Sequence, residues 1–263
     1  MLKGSCYPVR FYNRASLMFL LAGLLSLSGT AQGQADIRDS TIQLFLISAN
    51  YSAELTGADL ADRFGTSHFL GPSFSTKTSN NWKVTAGFGL LFGSNVKEDP
   101  LAKIAADNGN IINGNGTFEP IRYQQRGFRT TARVGKVLPV FGPNPNSGIL
   151  VQAGGGFIQH KIRYNTESRA VFQLDDEYEK GYDRLTNGIA FTQSLGYINL
   201  SNNKLINFRI AFQVTEALTK NRRSWNFDEM RKADEQRLDL LYGVRITWSW
   251  PIYDKASEGY YYR

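Results

Sequence analysis

Acid–base and metal chemistry have few candidates in this chain of 263 residues, which contains two histidines, His68 and His160, and one cysteine, Cys6. Neither histidine lies in a nucleophile motif such as G-x-S-x-G. A zinc site needs three or more close His, Cys, Asp or Glu ligands, and two scattered histidines do not supply them. We expect His160 to be a hydrogen-bonded histidine at the rim of the fold. The residues therefore predict no catalytic residue, no metal site and no cofactor.

Two segments resemble ligand-binding loops in composition only. Gly154–Gly156 lacks the following helix that a phosphate-binding loop uses. The segment DNGNIINGNGTFEP contains Asp107 but not the spaced acidic residues of a calcium loop. We interpret this second segment as a flexible surface loop, with a ligand-binding tip as the alternative.

Acidic and basic residues concentrate in two stretches of the second half of the chain. The acidic stretch holds Asp175, Asp176, Glu177, Glu179 and Asp183. The basic stretch holds Lys220, Arg222, Arg223, Arg231 and Lys232. The pattern predicts ion pairs between two surface loops, each contributing ~0–1 kcal/mol. The alternatives are that the acids bind divalent cations, or that the basic residues bind lipopolysaccharide phosphates.

Strands must position these residues, because apolar and polar residues alternate in eight runs of the chain. The last run alternates over the greatest length: Leu240, Tyr242, Val244, Ile246, Trp248 and Trp250 oppose Asp239, Gly243, Arg245, Thr247 and Ser249. The eight predicted strands span residues 42–53, 68–77, 82–92, 127–137, 149–162, 185–200, 204–217 and 238–253. Pro72 removes a backbone donor from the second strand, which must be bulged or locally unpaired there.

The predicted connections alternate in length. Turn-rich connections at Ser79–Asn81, Pro139–Gly148 and Ser201–Asn203 alternate with longer ones at 54–67, 94–126, 163–184 and 219–237. A soluble sandwich has no reason to separate short from long connections by end. The pattern therefore predicts an all-β fold, an eight-stranded antiparallel up-and-down transmembrane β-barrel with short periplasmic turns and long extracellular loops.

Charged residues recur on the polar face of these strands, which is the interior of such a barrel. The predicted interior polar network comprises Lys83, Arg129, Arg133, Arg209, Arg245 and Asp239, with Glu54, Gln152 and Gln213 as further partners. A soluble core would not tolerate so many charges, because burying an unpaired charge is costly. Side chains about fill an eight-stranded barrel, so we expect a packed network rather than an aqueous channel.

Aromatic residues recur near both ends of the predicted strands, as in the girdles of outer-membrane barrels. The predicted girdle at the periplasmic end comprises Trp82, Tyr197, Phe208, Trp248, Trp250 and Tyr253. Near the outer ends lie Tyr51, Phe92, Phe128 and Phe157.

Residues 1–35 have the features of a cleaved signal peptide. Lys3, Arg10 and Arg14 precede the apolar run Leu17–Leu27, and small residues allow cleavage near Ala31 or Ala35. The run is too short to span a bilayer. Cleavage removes Cys6 and three positive charges, so the formal charge falls from +7 to +4 (7 − 3), which is too weak to indicate nucleic-acid binding. The barrel is predicted over 36–253, followed by a short tail, 254–263.

The segments SANYS, GPNPNSGI and SNN resemble those of a family of outer-membrane β-barrels from the Bacteroidota, and the chain is similar in format to OmpA/OmpX-type barrels. The resemblance covers essentially the whole mature chain, and it implies insertion by the barrel-assembly machinery. Barrels of this type commonly end in an aromatic residue. This chain instead continues past Tyr253 with DKASEGYYYR, so the assembly signal is either Tyr253 or the Tyr260–Tyr262 run.

The sequence supports several functions because this format serves unrelated roles. The first is a non-enzymatic outer-membrane barrel with a structural or interaction role, in contact with outer-membrane lipid, lipopolysaccharide and an envelope protein partner. The second is a lipid-modifying enzyme, which requires His68 or His160 beside a Ser and an acid at a lipid-accessible rim. A small pore or ligand-holding barrel, and a soluble lipocalin-like barrel, are the remaining alternatives.

Overall fold

A computed structural model of the protein describes residues 40–106, 108–166, 171, 176–201, 206–232 and 235–253. The predicted signal peptide, 1–35, and the predicted tail, 254–263, lie outside these residues. No helix in the described part of the chain is long and apolar enough to cross a membrane.

Eight long strands form one closed barrel, and two very short strands and two single-turn helices lie in its connections. In chain order the elements are β1 (Leu44–Ala58), α1 (Leu60–Arg63), β2 (Thr66–Lys77), β3 (Trp82–Gly93), β4 (Ile111–Ile112), β5 (Phe118–Glu119), β6 (Arg122–Leu138), β7 (Gly148–Asn165), α2 (Asp176–Glu179), β8 (Thr186–Asn199), β9 (Phe208–Asn221) and β10 (Gln236–Tyr253).

Every barrel strand pairs antiparallel with the next barrel strand in the chain, and the last strand returns to the first. Leu44 lies opposite Tyr253, and Ala58 lies opposite Asp239. This pairing leaves the barrel without an edge strand. The predicted all-β, eight-stranded antiparallel up-and-down barrel is confirmed.

Pro72 interrupts hydrogen bonding between β2 and β3. The pairing of these strands runs from His68 to Leu70 and resumes at Ser73, so Gly71 and Pro72 have no partner on β3. Both residues remain in register with β1 on the other side. The predicted local unpairing at Pro72 is confirmed.

The connections lie at two ends of the barrel, here called the turn end and the loop end. Of the described residues, the turn end carries those within 78–81, 139–147 and 200–207, and the loop end carries those within loops 1 to 4, which span 59–65, 94–121, 166–185 and 222–235. Loop 1 is shorter than predicted because β1 continues to Ala58, five residues beyond its predicted end at Ala53.

The barrel places its apolar side chains outward and its polar side chains inward. On β9, Ile210 and Phe212 are 49% and 52% exposed, whereas Arg209 and Gln213 are 2% and 1% exposed. The burial pattern alternates in the same way along β1, β3 and β8. The barrel therefore has an apolar outer wall around a polar interior.

Hydrophobic clusters lie at both ends of this polar interior. The cluster at the turn end comprises Leu44, Leu46, Val137, Leu150, Ile198 and Leu200. The cluster at the loop end includes Leu60, Phe64 and Leu101 from the loops, and Phe69, Leu91, Ile158 and Ile162 from the strands. Leu44 and Leu46 break the alternation of β1 in the sequence because they take part in closing the turn end.

Candidate functional site

The polar interior is layered along the barrel axis, and a histidine–aspartate pair forms the layer nearest the loop end. His160 Nε2 lies 2.9 Å from Asp239 Oδ2, and Thr219 Oγ1 donates to the same oxygen at 2.6 Å. The ring of Phe64 meets His160 edge-on at 5.7 Å between centroids. His160 and Asp239 are fully buried. His160 is hydrogen-bonded as predicted, but the predicted rim position is wrong, because its side chain lies in the interior and Phe64 of loop 1 packs against it.

A buried ion pair forms the middle layer. Arg129 donates from both terminal nitrogens to Glu54, at 2.7 and 2.9 Å, in a bidentate contact across the interior. Ser52 Oγ and Gln213 Nε2 also donate to Glu54 Oε1, at 2.8 and 3.2 Å. Such pairing offsets the cost of burying both charges. Glu54 is thus the acid that holds this layer together.

An inward-pointing aromatic residue lies beside this ion pair. The guanidinium carbons of Arg129 and Arg245 lie 4.6 and 4.7 Å from the ring centroid of Phe69. Guanidinium groups at this distance are attracted to the face of an aromatic ring. A side chain on Gly89 would meet the Phe69 ring at 2.4 Å, so the glycine leaves room for it. The predicted interior network did not include Phe69.

Four cations, here called the turn-end cluster, form the layer nearest the turn end: Lys83, Arg133, Arg209 and Arg245. Their hydrogen-bond partners are neutral. Arg209 Nη2 donates to Ser194 Oγ at 2.7 Å, and Arg133 Nη1 donates to Gln213 Oε1 at 3.2 Å. Within the part of the chain that the structure describes, no Asp or Glu forms an ion pair with any of the four.

Lys77 is a further buried cation that the predicted network omitted. Its Nζ donates to Asn146 Oδ1 at 2.8 Å and to the carbonyl of Ile42 at 3.2 Å. Lys77 follows Ser73 and Ser75 at period two on β2, which is the sequence signal for an inward position.

The structure brings the predicted network residues together in the interior, and two of the predicted partners, Glu54 and Gln213, bind Arg129 and Arg133 there. Each of the six is at most 2% exposed. Asp239 pairs with His160 and Thr219 rather than with the arginines of the network. Glu54 pairs with Arg129 alone among them.

The predicted girdle residues lie on the outer wall near the turn end. Trp82, Phe208, Trp248 and Trp250 are all exposed. The two neighbouring tryptophans of β10 stack with 6.5 Å between centroids. The half-buried Tyr197 donates its hydroxyl to the carbonyl of Phe141 at 3.2 Å. The backbone of Tyr253 pairs with Leu44, and its side chain lies outside the described part of the structure.

The loops form an ion-paired layer at the loop end, here called the loop cap. Glu98 of loop 2 accepts from Arg63 Nε at 2.7 Å and from Arg184 Nε at 2.6 Å, which joins it to loops 1 and 3. Arg184 Nη1 also donates to Asp228 of loop 4 at 2.8 Å. Burial alone would raise the pKa of Glu98, but the charges of Arg63 and Arg184 outweigh it and lower that pKa.

The predicted pairing between the acidic and basic stretches occurs in part. Arg223 Nε donates to Asp183 Oδ1 at 2.8 Å, and Lys161 of β7 also lies within 3.4 Å of Asp183. Asp175 and the side chains of Asp176 and Glu177 lie outside the described part. Among the described residues, no group of three or more His, Cys, Asp or Glu side chains is placed to hold a metal ion.

Loop 2 has an anchored first part and a hairpin tip, and the tip contains the segment predicted to be a flexible surface loop. Its first part packs into the loop-end hydrophobic cluster through the fully buried Leu101, and Val96 pairs with Phe64 of loop 1. Its tip forms the β4–β5 hairpin, where Asn113 Oδ1 accepts from the backbone N–H groups of Asn115 and Thr117. Asp107 lies outside the described residues.

The other histidine lies on the outer wall. Tyr51 Oη and His68 Nδ1 are 2.9 Å apart, and the His68 ring stacks on Phe92 at 5.6 Å. The described hydrogen bonds bring no serine to either histidine, and Asp239 pairs with His160 away from the outer wall. The arrangement required for a lipid-modifying enzyme is therefore not assembled by the described residues.

No family model matches the chain, and no curated protein sequence matches it significantly. Several solved structures are similar to it. Ail, the attachment invasion locus protein of Yersinia pestis, in complex with the heparin analogue sucrose octasulfate, has 13% identity and a TM-score of 0.37 over 79% of this chain and 99% of that one. The outer membrane protein OprG from Pseudomonas aeruginosa has 10% identity and a TM-score of 0.34 over 82% of this chain and 99% of that one. At such low similarity, we infer function from this chain's own residues alone.

Proposed function

We propose that this protein is a non-enzymatic outer-membrane β-barrel with a structural or interaction role. The observation that carries this proposal is the inverted polarity of the barrel, with an apolar wall around a charged interior. Exposed apolar surface on monomeric soluble proteins rarely forms contiguous patches above a few hundred Å². Here large apolar side chains are exposed on all eight barrel strands, which is favourable in lipid and costly in water.

Features at the two ends of the barrel support its orientation in the membrane. The exposed tryptophans near the turn end, Trp82, Trp248 and Trp250, suit a membrane–water interface, where amphipathic rings concentrate. Short connections at this end suit the periplasmic side. The longer ion-paired loops then face the outside of the cell. The predicted signal peptide supports export to this location.

The loop cap supports an interaction role because it presents apolar side chains on a rigid base. Tyr178, Trp225, Phe227 and Met230 are all exposed there. Phe227 packs on Tyr182 at 5.5 Å between ring centroids, and its backbone N–H donates to the carbonyl of Gly181 at 3.0 Å. Aromatic residues and Met are enriched at protein interfaces. An envelope protein that docks on this surface is the proposed partner.

Outer-membrane lipid and lipopolysaccharide are the proposed partners of the wall. A groove of about 620 Å³ near the loop end combines the apolar Leu90 and Phe92 with Arg126, Lys161 and Arg163. Apolar and cationic groups side by side suit acyl chains and headgroup phosphates. The barrel-assembly machinery is the proposed partner during insertion, and we propose no nucleic-acid partner.

Membrane fractionation with heat-modifiable gel mobility tests the membrane placement. We expect the mature chain in the outer-membrane fraction, soluble only in detergent, and with different gel mobility before and after boiling. Recovery in the aqueous fraction without detergent would contradict the proposal.

Site-specific photo-crosslinking in cells tests the interaction role separately. A photoreactive amino acid at Trp225 should give an adduct with a protein partner. The same amino acid at Val244, on the apolar wall, serves as the control and should give no such adduct. Equal protein adducts at both positions, or none at Trp225, would contradict a partner at the loop cap.

A further inference from the structure

We propose that the barrel interior binds one small inorganic anion between the four cations of the turn-end cluster. This site is distinct from the outer wall and the loop cap, and the inference does not depend on the membrane placement of the barrel.

The strand register places the four cations on two facing walls. On β9 and β10, Arg209 lies opposite Thr247 while Arg245 lies opposite Ala211, so the two arginines are diagonal neighbours on one face. On β3 and β6, Lys83 lies opposite Gly135 while Arg133 lies opposite Thr85, with the same diagonal offset. In the closed strand order, β9 and β10 are each halfway around the barrel from β3 and β6, respectively. The two pairs of cations therefore face each other across the interior.

The charges of this cluster are unbalanced. Arg133 is repelled by Arg209, and Lys83 is repelled by both arginines. Glu54 attracts Arg133 and Arg245, but it forms its ion pair with Arg129. Four cations that are at most 2% exposed would destabilise the folded state if no negative charge accompanied them. An anion removes this cost because it attracts all four cations at once.

Unused hydrogen-bond donors point to the same site. The Nε atoms of Arg133, Arg209 and Arg245, and Nη2 of Arg245, are buried and have no hydrogen-bond partner among the described residues. Buried donors are seldom left unpaired, and a charged N–H donor forms its strongest hydrogen bonds with anions. The cluster thus supplies both the positive charge and the N–H groups that an anion requires.

The surroundings determine the size of the ligand. The turn-end hydrophobic cluster closes one side, and the Glu54–Arg129 pair and Phe69 close the other. Side chains about fill an eight-stranded barrel. The ligand is therefore chloride or a single phosphate ion rather than an organic acid or a lipid headgroup.

Anion-dependent unfolding of the detergent-solubilised barrel tests this inference. At constant ionic strength maintained with gluconate, we expect the urea midpoint to rise and saturate as chloride or phosphate is added, because a ligand that binds only the folded state stabilises it. Separate titrations with chloride and with phosphate identify which anion is preferred. No difference between gluconate and either anion would overturn the proposal.

Two variants and one direct observation complete the test. Arg245→Met should weaken the apparent anion affinity by about tenfold or more, since it removes a charged donor. Arg231→Gln, at an exposed arginine of loop 4, should leave the affinity unchanged. Equal loss in both variants would contradict the site. If Arg245→Met does not fold, crystals of the unaltered barrel grown in bromide decide the question: an anomalous peak between Lys83 and Arg209 supports the site, and its absence overturns it.

Discussion

The loop cap and the turn-end cluster are both rich in arginine, but they neutralise its charge in different ways. In the loop cap, Arg63 and Arg184 share Glu98, and Arg184 also pairs with Asp228. In the turn-end cluster, no carboxylate of the described chain pairs with a cation. The arginines of the loop cap are therefore neutralised within the chain, whereas the cations of the turn-end cluster need a negative charge from outside it. Ion pairs between loops favour a rigid surface, whereas unpaired interior cations favour the binding of a ligand.

The largest expected effect comes from removing Glu54, the acid that lies between the two regions. Glu54→Gln leaves Arg129 buried without its counter-charge, which adds a further unpaired cation to the interior. We expect a loss of ~3–5 kcal/mol in the free energy of unfolding, measured by urea titration in detergent micelles. Glu235→Gln, at an exposed carboxylate of loop 4, should change it little, and equal stability of the two variants would contradict the role of Glu54.

A charge introduced on the outer wall should have the next largest effect. In the proposed membrane it would have neither a counter-charge nor water around it. Val244→Arg should cost ~2–4 kcal/mol and reduce assembly, since its side chain faces lipid near the middle of the strand. Val140→Arg introduces the same charge in a connection at the turn end and should assemble normally. Heat-modifiable mobility of both variants in outer-membrane fractions measures the difference. Equal assembly of the two would show that the wall does not face lipid.

Removing Arg184, which joins Glu98 of loop 2 to Asp228 of loop 4, should have a smaller effect, confined to the loop end. Arg184→Gln leaves Glu98 and Asp228 with weaker partners at a cost of ~1–3 kcal/mol. We expect faster proteolysis of loops 2 and 4 while the barrel keeps its heat-modifiable mobility. The exposed Arg231→Gln is again the matched control. Global unfolding of the Arg184 variant would mean that the cap and the barrel are one cooperative unit.

The smallest predicted effect is the pH dependence of the loop cap. Because Arg63 and Arg184 lower the pKa of Glu98 below its usual value of 4.5, the folded cap binds fewer protons than the unfolded one. Its stabilisation is therefore full above pH 4.5 and is lost as the pH falls through the lower folded pKa. Amide hydrogen exchange in loop 2, corrected for the intrinsic rate, should increase over this range. Glu98→Gln should remove the dependence, and an unchanged dependence in that variant would assign it to another group.

The barrel was predictable from the sequence because one physical signal, period-two alternation, recurs in every strand. The same signal places Arg209 and Arg245 in the interior, since it depends only on the position of each residue within its own strand. The ends of the strands were less predictable. Gly57 and Ala58 extend β1 without a hydrophobic pattern, and Phe64 of loop 1 packs against His160, which lies in the interior instead of at a rim.

The pairing of interior residues was not predictable, because it depends on the register of strands that are far apart in the chain. Glu54 and Arg129 meet across the interior, and nothing local to either residue specifies the other. Asp239 was expected beside arginines, but its position on β10 places it with His160 of β7. The anchoring of the first part of loop 2 was not predictable for a related reason: Val96, Leu101 and Ile104 are scattered in a polar segment, and their packing depends on the loop-end cluster.

The pairing of β1 with β10 also has a consequence for the order of folding. Its hydrogen bonds join residues from opposite ends of the barrel segment, such as Leu44 and Tyr253, and contacts so distant in sequence form slowly. The bond between Ser48 and Ser249 and that between Thr247 and Asn50 can form only when β10 arrives. Until that moment the nascent interior remains open to solvent along a seam. Ions and water can therefore enter before the seam closes, and we expect the content of the finished interior to be selected during assembly rather than afterwards.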